Sequence, residues 1–257
     1  MTGDVTWLEL GFLCAAAFTA GTVDAIAGGG GLLTLPSLLA VGLPPHVALG
    51  TNKGQSIFGA LASLVRFSRA GLVDARLARV SFPLGLSGSL GGAALVMLVR
   101  PEVLKPVVLG LLMAVAVFLT FRRGGATGEA KVPPGERAMA MAALGSLALG
   151  AYDGFFGPGT GTFLIVLFSA VLGQGLARAS ANAKVVNFAS NLAAVALFAS
   201  RGVVLWRLSL ALAGFTLAGG WLGAHFAVKG GDRLVRRVVL GVVVVLGLKL
   251  ARDLWTG

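Results

Sequence analysis

Two glycine-rich stretches decide the fold: GTVDAIAGGGG at residues 21–31 and GAYDGFFGPGTG at residues 150–161. Each would interrupt a helix, because glycine costs about 1 kcal/mol in a helix interior and Pro158 has no amide hydrogen. The apolar segments that follow, residues 31–42 and 160–173, are too short to cross the hydrocarbon alone, which takes about 20 residues. We therefore predict a helical hairpin at each stretch, either re-entrant or fully spanning.

The two stretches belong to an internal repeat that covers the chain. Asp24 aligns with Asp153 at an offset of 129 residues, and an offset of 131 aligns Lys53 with Lys184. Residues 1–121 and 138–257 are the predicted repeats, and residues 122–137, rich in Gly, Pro and charge, are the predicted linker between them. Each half contains one hairpin and three further transmembrane helices, so the second half is predicted to be inverted in the membrane relative to the first.

The composition requires a membrane around these segments. Of the 257 residues 56% are hydrophobic and only 12% are charged, against about 25% charged in a soluble domain, and mean hydropathy is +0.90. In hydrocarbon the backbone must satisfy its own hydrogen bonds, so we predict an all-α integral membrane protein. Its apolar segments are residues 7–27, 31–42, 46–68, 77–99, 103–121, 138–153, 160–173, 177–199, 206–228 and 236–254.

The positive charge predicts the orientation. The net charge is +11, and the Lys and Arg residues that produce it cluster at the ends of apolar segments. Their position indicates lipid headgroups as neighbours and excludes nucleic acid as a partner. By the positive-inside rule three joints are cytoplasmic in an inner membrane, and both termini then lie outside. These joints contain Arg66, Arg69, Arg76 and Arg79; Arg122, Arg123, Lys131 and Arg137; and Lys229, Arg233, Arg236 and Arg237.

Asp24 and Asp153 are candidate coupling residues. A carboxylate at the centre of a membrane helix costs at least about 2.5 to 3.5 kcal/mol, so it is a functional candidate by default. One interpretation is that each carboxylate binds a proton during transport. The structural alternative is that each accepts hydrogen bonds from the first amides of the next half-helix as an N-cap.

Lys53 and Lys184 are the candidate anion-binding cations. Each lies among side chains that can donate hydrogen bonds, in GTNKGQS at residues 50–56 and ASANAKVVNFASN at residues 179–191. The alternative is that each lysine pairs with an aspartate and only holds the bundle together. The other predicted substrate ligands, including helix-start amides, are Thr51, Asn52, Gln55, Ser56, Asn182, Asn187, Asn191, Gly30, Gly31, Gly159 and Thr160.

Several other features are interpreted as structural. His46 and His225 do not align across the repeat, and no metal-ligand spacing appears, so we expect neither a metal nor another cofactor. No cluster of nucleophile, base and orienting group indicates an enzyme. Close helix contacts of the small-xxx-small kind are predicted at Gly85, Gly88, Gly91, Gly92, Gly219, Gly220 and Gly223.

The sequence resembles the sulfite exporter TauE/SafE family. The resemblance rests on residues 21–53, on DGFFGPGTGTF at residues 153–163 and on residues 179–191, and it covers both halves. It implies export of sulfite or of small sulfur-containing organic anions such as sulfoacetate. The positions that match the family are Asp24, Gly28 to Gly31, Pro36, Thr51, Asn52, Lys53, Asp153, Gly157, Pro158, Gly159, Gly161, Asn182 and Lys184.

These observations predict a secondary transporter that binds its anion between the hairpins and the polar helix faces. Inverted repeats with interrupted helices are a common architecture for alternating access, with or without proton coupling. The alternatives are a passive anion channel and a membrane scaffold that does not transport. The sequence leaves the anion, the direction, the coupling ion and the oligomeric state open.

Overall fold

The computed structural model describes residues 6–121 and 135–256, and within them the chain is helical without β-strands. Residues 122–134 of the predicted linker lie outside these ranges, and its last three residues are the start of a helix. The helices are α1 (Trp7–Ala27), α2 (Gly31–Ala40), α3 (Pro45–Arg69), α4 (Ala75–Met97), α5 (Pro101–Phe121), α6 (Gly135–Phe155), α7 (Thr160–Leu172), α8 (Leu176–Ser200) and α9 (Trp206–Thr256).

Both predicted helix breaks are confirmed. Helix α1 ends where Gly28 takes a left-handed conformation with φ 79°, and α2 begins three residues later. The second break contains Gly157 and Gly159, with φ 98° and 85°. Side chains disfavour positive φ, so glycine is what allows the chain to turn so abruptly here. The segment predictions 206–228 and 236–254 meet inside α9 at the non-helical Gly231.

The helices confirm an all-α membrane protein. Among the described residues, five helices are long and apolar enough to cross a membrane, whereas α2 and α7 are apolar but shorter. The five spans are Trp7–Ala27, Ala75–Met97, Gly135–Phe155, Leu176–Ser200 and Trp206–Val235.

The distribution of polarity is the one that a lipid solvent requires. Trp7, Leu8 and Leu98 are each more than four-fifths exposed, as lipid-facing side chains would be. The interior instead contains many polar groups, including Lys53 at 3% and Lys184 at 0% exposure. Buried ionisable groups among membrane helices mark a site or a pathway by default.

Glycines set the closest helix contacts, and the contacts are equivalent in the two halves. A Cβ on Gly88 of α4 would overlap the backbone of Leu147 in α6. A Cβ on Gly219 of α9 would in the same way overlap the backbone of Phe18 in α1. The structure thus agrees with the predicted small-residue contacts, except at Gly91, where a Cβ would meet nothing within 4 Å.

Candidate functional site

The two helix breaks meet inside the bundle. Gly28 lies so close to Gly161 that a Cβ on either would overlap the backbone of the other. The hydroxyl of Thr162 at the start of α7 donates a hydrogen bond to the Ala27 carbonyl at the end of α1, at 2.8 Å. Irregular backbone at this depth is thereby enclosed by protein, which is the condition under which membranes tolerate it.

Each of the two lysines that align with each other across the halves forms an ion pair with the aspartate of the opposite half. Lys184 Nζ of α8 lies 2.7 Å from Asp24 Oδ2 of α1, and Lys53 Nζ of α3 lies 2.9 Å from Asp153 Oδ1 of α6. Each pair therefore joins the first helix of one repeat to the third helix of the other. The four groups together have a formal charge of zero.

The two carboxylates differ in their remaining partners. Asp24 Oδ1 accepts a hydrogen bond from the Gly30 amide at 3.3 Å, which is the capping contact that the structural alternative predicted. Asp153 Oδ2 accepts a hydrogen bond from the Ser190 hydroxyl. The side chain of Asp24 is 26% exposed and that of Asp153 is 4% exposed, so only Asp24 has appreciable access to the space beside it.

A polar cavity lies between the ion pairs and the helix breaks. Helices α1, α2, α3, α6, α8 and α9 all contribute to its wall, so residues of both halves line it. Its volume is about 40 Å³, which is roughly enough for three water molecules. The predicted site residues that line it are Asp24, Gly30, Gly31, Asn52, Lys53, Ser56, Asp153, Asn187 and Asn191.

The cavity wall has hydrogen-bonding capacity to spare. Asn187 is 6% exposed, and within the described chain its Oδ1 has no hydrogen-bond partner. A buried carbonyl oxygen without a donor costs about 1–3 kcal/mol, so a bound water or a protonated ligand that donates to it is favoured. In the same cavity wall, the Thr34 hydroxyl donates a hydrogen bond to Asn52 Oδ1. The amide hydrogens of Asn52 therefore point away from Thr34.

Six predicted ligands do not line the cavity. The Thr51 hydroxyl accepts a hydrogen bond from the Leu205 amide, and Asn182 Oδ1 accepts one from the Asp74 amide, so these two residues fasten the loops before α9 and α4. Lys184 is buried behind its ion pair. The Thr160 hydroxyl donates to a carbonyl of its own helix break. The other two are Gln55 and Gly159.

Three residues that the sequence reasoning missed take part in the site. Thr34 and Thr216 line the cavity, and Ser190 holds Asp153. Ser190 is six residues after Lys184, off the helix face on which the candidate ligands were sought. Thr216 aligns with Gly85 at the 131-residue offset, so comparison of the halves could not single it out. The only available signal was a hydroxyl side chain in an apolar helix that has no hydroxyl counterpart in the other half.

Metal ligands are not grouped at this site. Among the side chains that the structure describes, no three His, Cys, Asp or Glu residues lie close enough together to hold a metal ion. The chemistry on offer is ion pairing and hydrogen bonding by amides, hydroxyls and ammonium groups, which suits a small oxyanion.

Comparison with known proteins identifies the family. Residues 13–250 match the family described as sulfite exporter TauE/SafE. A probable membrane transporter protein, ORF9, of Sinorhizobium sp is 34% identical, with 97% of this chain and 95% of the relative aligned. One from Haemophilus influenzae is 36% identical over 95% of each chain, and YfcA of Escherichia coli is 33% identical over 97% of this chain and 92% of its own. No solved structure matches. The chain therefore belongs to the sulfite exporter TauE/SafE family and is a multi-pass membrane transporter of that type.

Proposed function

We propose that this transporter exports sulfite, or a small sulfur-containing organic anion such as sulfoacetate, across the inner membrane. The family description supports the class of anion. The observation that carries the proposal is the cavity beside the helix breaks, which is lined from both halves by Lys53 and by the amides Asn52, Asn187 and Asn191. Ammonium and amide hydrogens are suitable donors for the oxygens of a sulfur oxyanion.

The size of the cavity favours sulfite over longer sulfonates. Space for roughly three water molecules is comparable with an anion of four heavy atoms. Sulfoacetate has twice as many heavy atoms, so part of it would extend beyond this space. We propose that sulfite has the higher affinity of the two.

We propose that transport proceeds by alternating access between two inverted repeats, with both termini outside. Three features support this mechanism: the cavity lies where the two broken hairpins meet, the ion pairs connect equivalent helices of opposite halves, and the glycine contacts repeat at the same offset. Discontinuous helices at a repeat interface are the usual location of a transport site. The anion passes unchanged, so we propose no enzymatic activity.

The main competing function is a scaffold that does not transport. The observation in its favour is that both buried lysines are fully paired with carboxylates, as a purely structural role would require. A passive anion channel is the other alternative.

The test is sulfite flux in proteoliposomes that contain the purified protein, with protein-free vesicles as the control for leakage. A carrier gives saturable uptake that is accelerated by unlabelled sulfite on the opposite side, whereas a channel gives no such acceleration. Lys53→Gln should reduce the flux because it removes the ammonium group in the cavity wall. Absence of flux for sulfite and sulfoacetate alike, with intact protein, would support the scaffold.

A further inference from the structure

We infer that Asp24 takes up a proton when the anion binds, whereas Asp153 remains ionised throughout the transport cycle. The inference rests on the proposed function and names both the coupling ion and the residue that binds it. It is carried by the charge balance of the site and by one difference between the repeats.

The charge balance requires that a positive charge accompany the bound anion. Lys53, Lys184, Asp24 and Asp153 sum to zero, so an anion in the cavity leaves the buried site with an uncompensated negative charge. Such a charge in a membrane interior is costly. A proton that bonds to a carboxylate oxygen of Asp24 leaves the ammonium of Lys184 charged and without its counter-ion. The site then has one net positive charge, which a monoanion neutralises.

The repeats differ at the position that decides which carboxylate can accept the proton. Ser190 donates to Asp153, and the residue that aligns with Ser190 at the 131-residue offset is Gly59. Gly59 lines the cavity and has no hydroxyl to offer Asp24. In the part of the chain that the structure describes, Asp24 accepts only the 3.3 Å hydrogen bond from the Gly30 amide besides its ion pair, whereas Asp153 has the Ser190 hydroxyl as donor. Hydrogen bonds to a carboxylate favour its ionised form, so we infer that Asp24 is the carboxylate that accepts the proton.

This difference does not depend on the conformation captured. The exposure of a side chain, 26% for Asp24 against 4% for Asp153, changes when a transporter changes state. The identities of Gly59 and Ser190 do not. The glycine also has a packing reason, since a Cβ there would lie 2.9 Å from the Thr216 carbonyl oxygen of α9. The Thr216 hydroxyl donates to the Gln55 carbonyl at 2.9 Å, so its proton is used there.

Few other charged groups face Asp24 in the described residues. Lys184 reaches it from α8, and Lys53 of α3 and Asp153 of α6 share its cavity. Helices α2 and α7 contain no titratable residue. Helix α9 presents Thr216 to the cavity, and its histidine, His225, is instead bonded to Arg66 at 3.3 Å.

The inference also fixes the sense of coupling. Because the proton and the anion stabilise each other in the same state, they cross in the same direction. Export then occurs when the ratio of inside to outside anion concentration exceeds the ratio of outside to inside proton concentration. A monoanion that crosses with one proton moves no net charge.

The experiment measures protons moved per anion in proteoliposomes, with a pH-sensitive dye inside and sulfite as the anion. All proteins are compared at one pH, so the protons that sulfite itself binds cancel. The test variant is Asp24→Asn with Lys184→Gln, which removes one ion pair without leaving a lone charge. The matched control is Asp153→Asn with Lys53→Gln. A third variant, Gly59→Ser, places a hydroxyl at the position that aligns with Ser190 while both ion pairs remain.

We expect the test variant to move one proton fewer per anion than wild type, and the control to move the wild-type number at a lower flux. The third variant should need about tenfold higher proton concentration for half-maximal driven flux. An unchanged proton count in the test variant overturns the inference, as does loss of the proton in the control. If the test variant does not fold, the third decides, and an unchanged pH dependence there refutes the inference. If the wild-type protein transports sulfite but moves no protons with it, the inference is refuted and the proposed function stands. If the wild-type protein transports no sulfite, the proposed function is refuted as well.

Discussion

Replacing Asp24 by asparagine should destabilise the protein far more than replacing its partner. The substitution leaves Lys184 as an ammonium group with 0% exposure and no counter-ion. An uncompensated buried charge of this kind costs about 3–5 kcal/mol. The reverse substitution, Lys184→Gln, leaves Asp24, which at 26% exposure borders the cavity and can be solvated or protonated from it. We expect that variant to lose about 1–3 kcal/mol.

The double variant Asp24→Asn with Lys184→Gln measures how strongly the stability effects of the two single substitutions depend on each other. With both charges removed, we expect a stability within about 2 kcal/mol of wild type, because neutral side chains of similar shape occupy the same space. The other ion pair is the control: Lys53 and Asp153 are 3% and 4% exposed, so either single substitution there should cost about 3–5 kcal/mol. The assay is reversible unfolding in mixed micelles, followed by tryptophan fluorescence. If Asp24→Asn alone is as stable as the double variant, the argument from burial is wrong.

Three further predictions test the packing and the cavity. Gly92→Ala should cost about 1–3 kcal/mol because its Cβ would overlap the backbone of α6, whereas Gly91→Ala should change stability by less than about 0.5 kcal/mol; the same unfolding assay compares them. Asn187→Ala should raise the half-saturating sulfite concentration about tenfold, whereas Asn182→Ala should lower stability and leave that concentration unchanged, which flux and unfolding measurements separate. Ser190→Ala should cost about 1.5–3 kcal/mol through the lost hydrogen bond to a buried carboxylate; equal stability of this variant and wild type would contradict the assignment.

Tertiary structure decided several features of the site that the sequence left open. Whether each lysine pairs with the aspartate of its own half or of the other depends on how α1, α3, α6 and α8 cross, and periodicity along one helix contains no such information. Asn182 and Thr51 looked like ligands because amides and hydroxyls near a buried lysine suit an anion. In the structure they bind loop amides instead, since those amides have no helical partner.

Features that depend on local chemistry were predictable from the amino-acid sequence alone. An apolar run long enough for hydrocarbon must be helical, and the glycine-rich stretches must interrupt the helix, so the spans and both breaks were predictable. The alignment of the two halves also singles out Asp24, Asp153, Lys53 and Lys184 from the sequence alone. Only the tertiary structure revealed the cavity, the contribution of Thr216 and the different surroundings of the two aspartates. These depend on distances between helices that are far apart in sequence, and such distances follow from packing rather than from any local pattern.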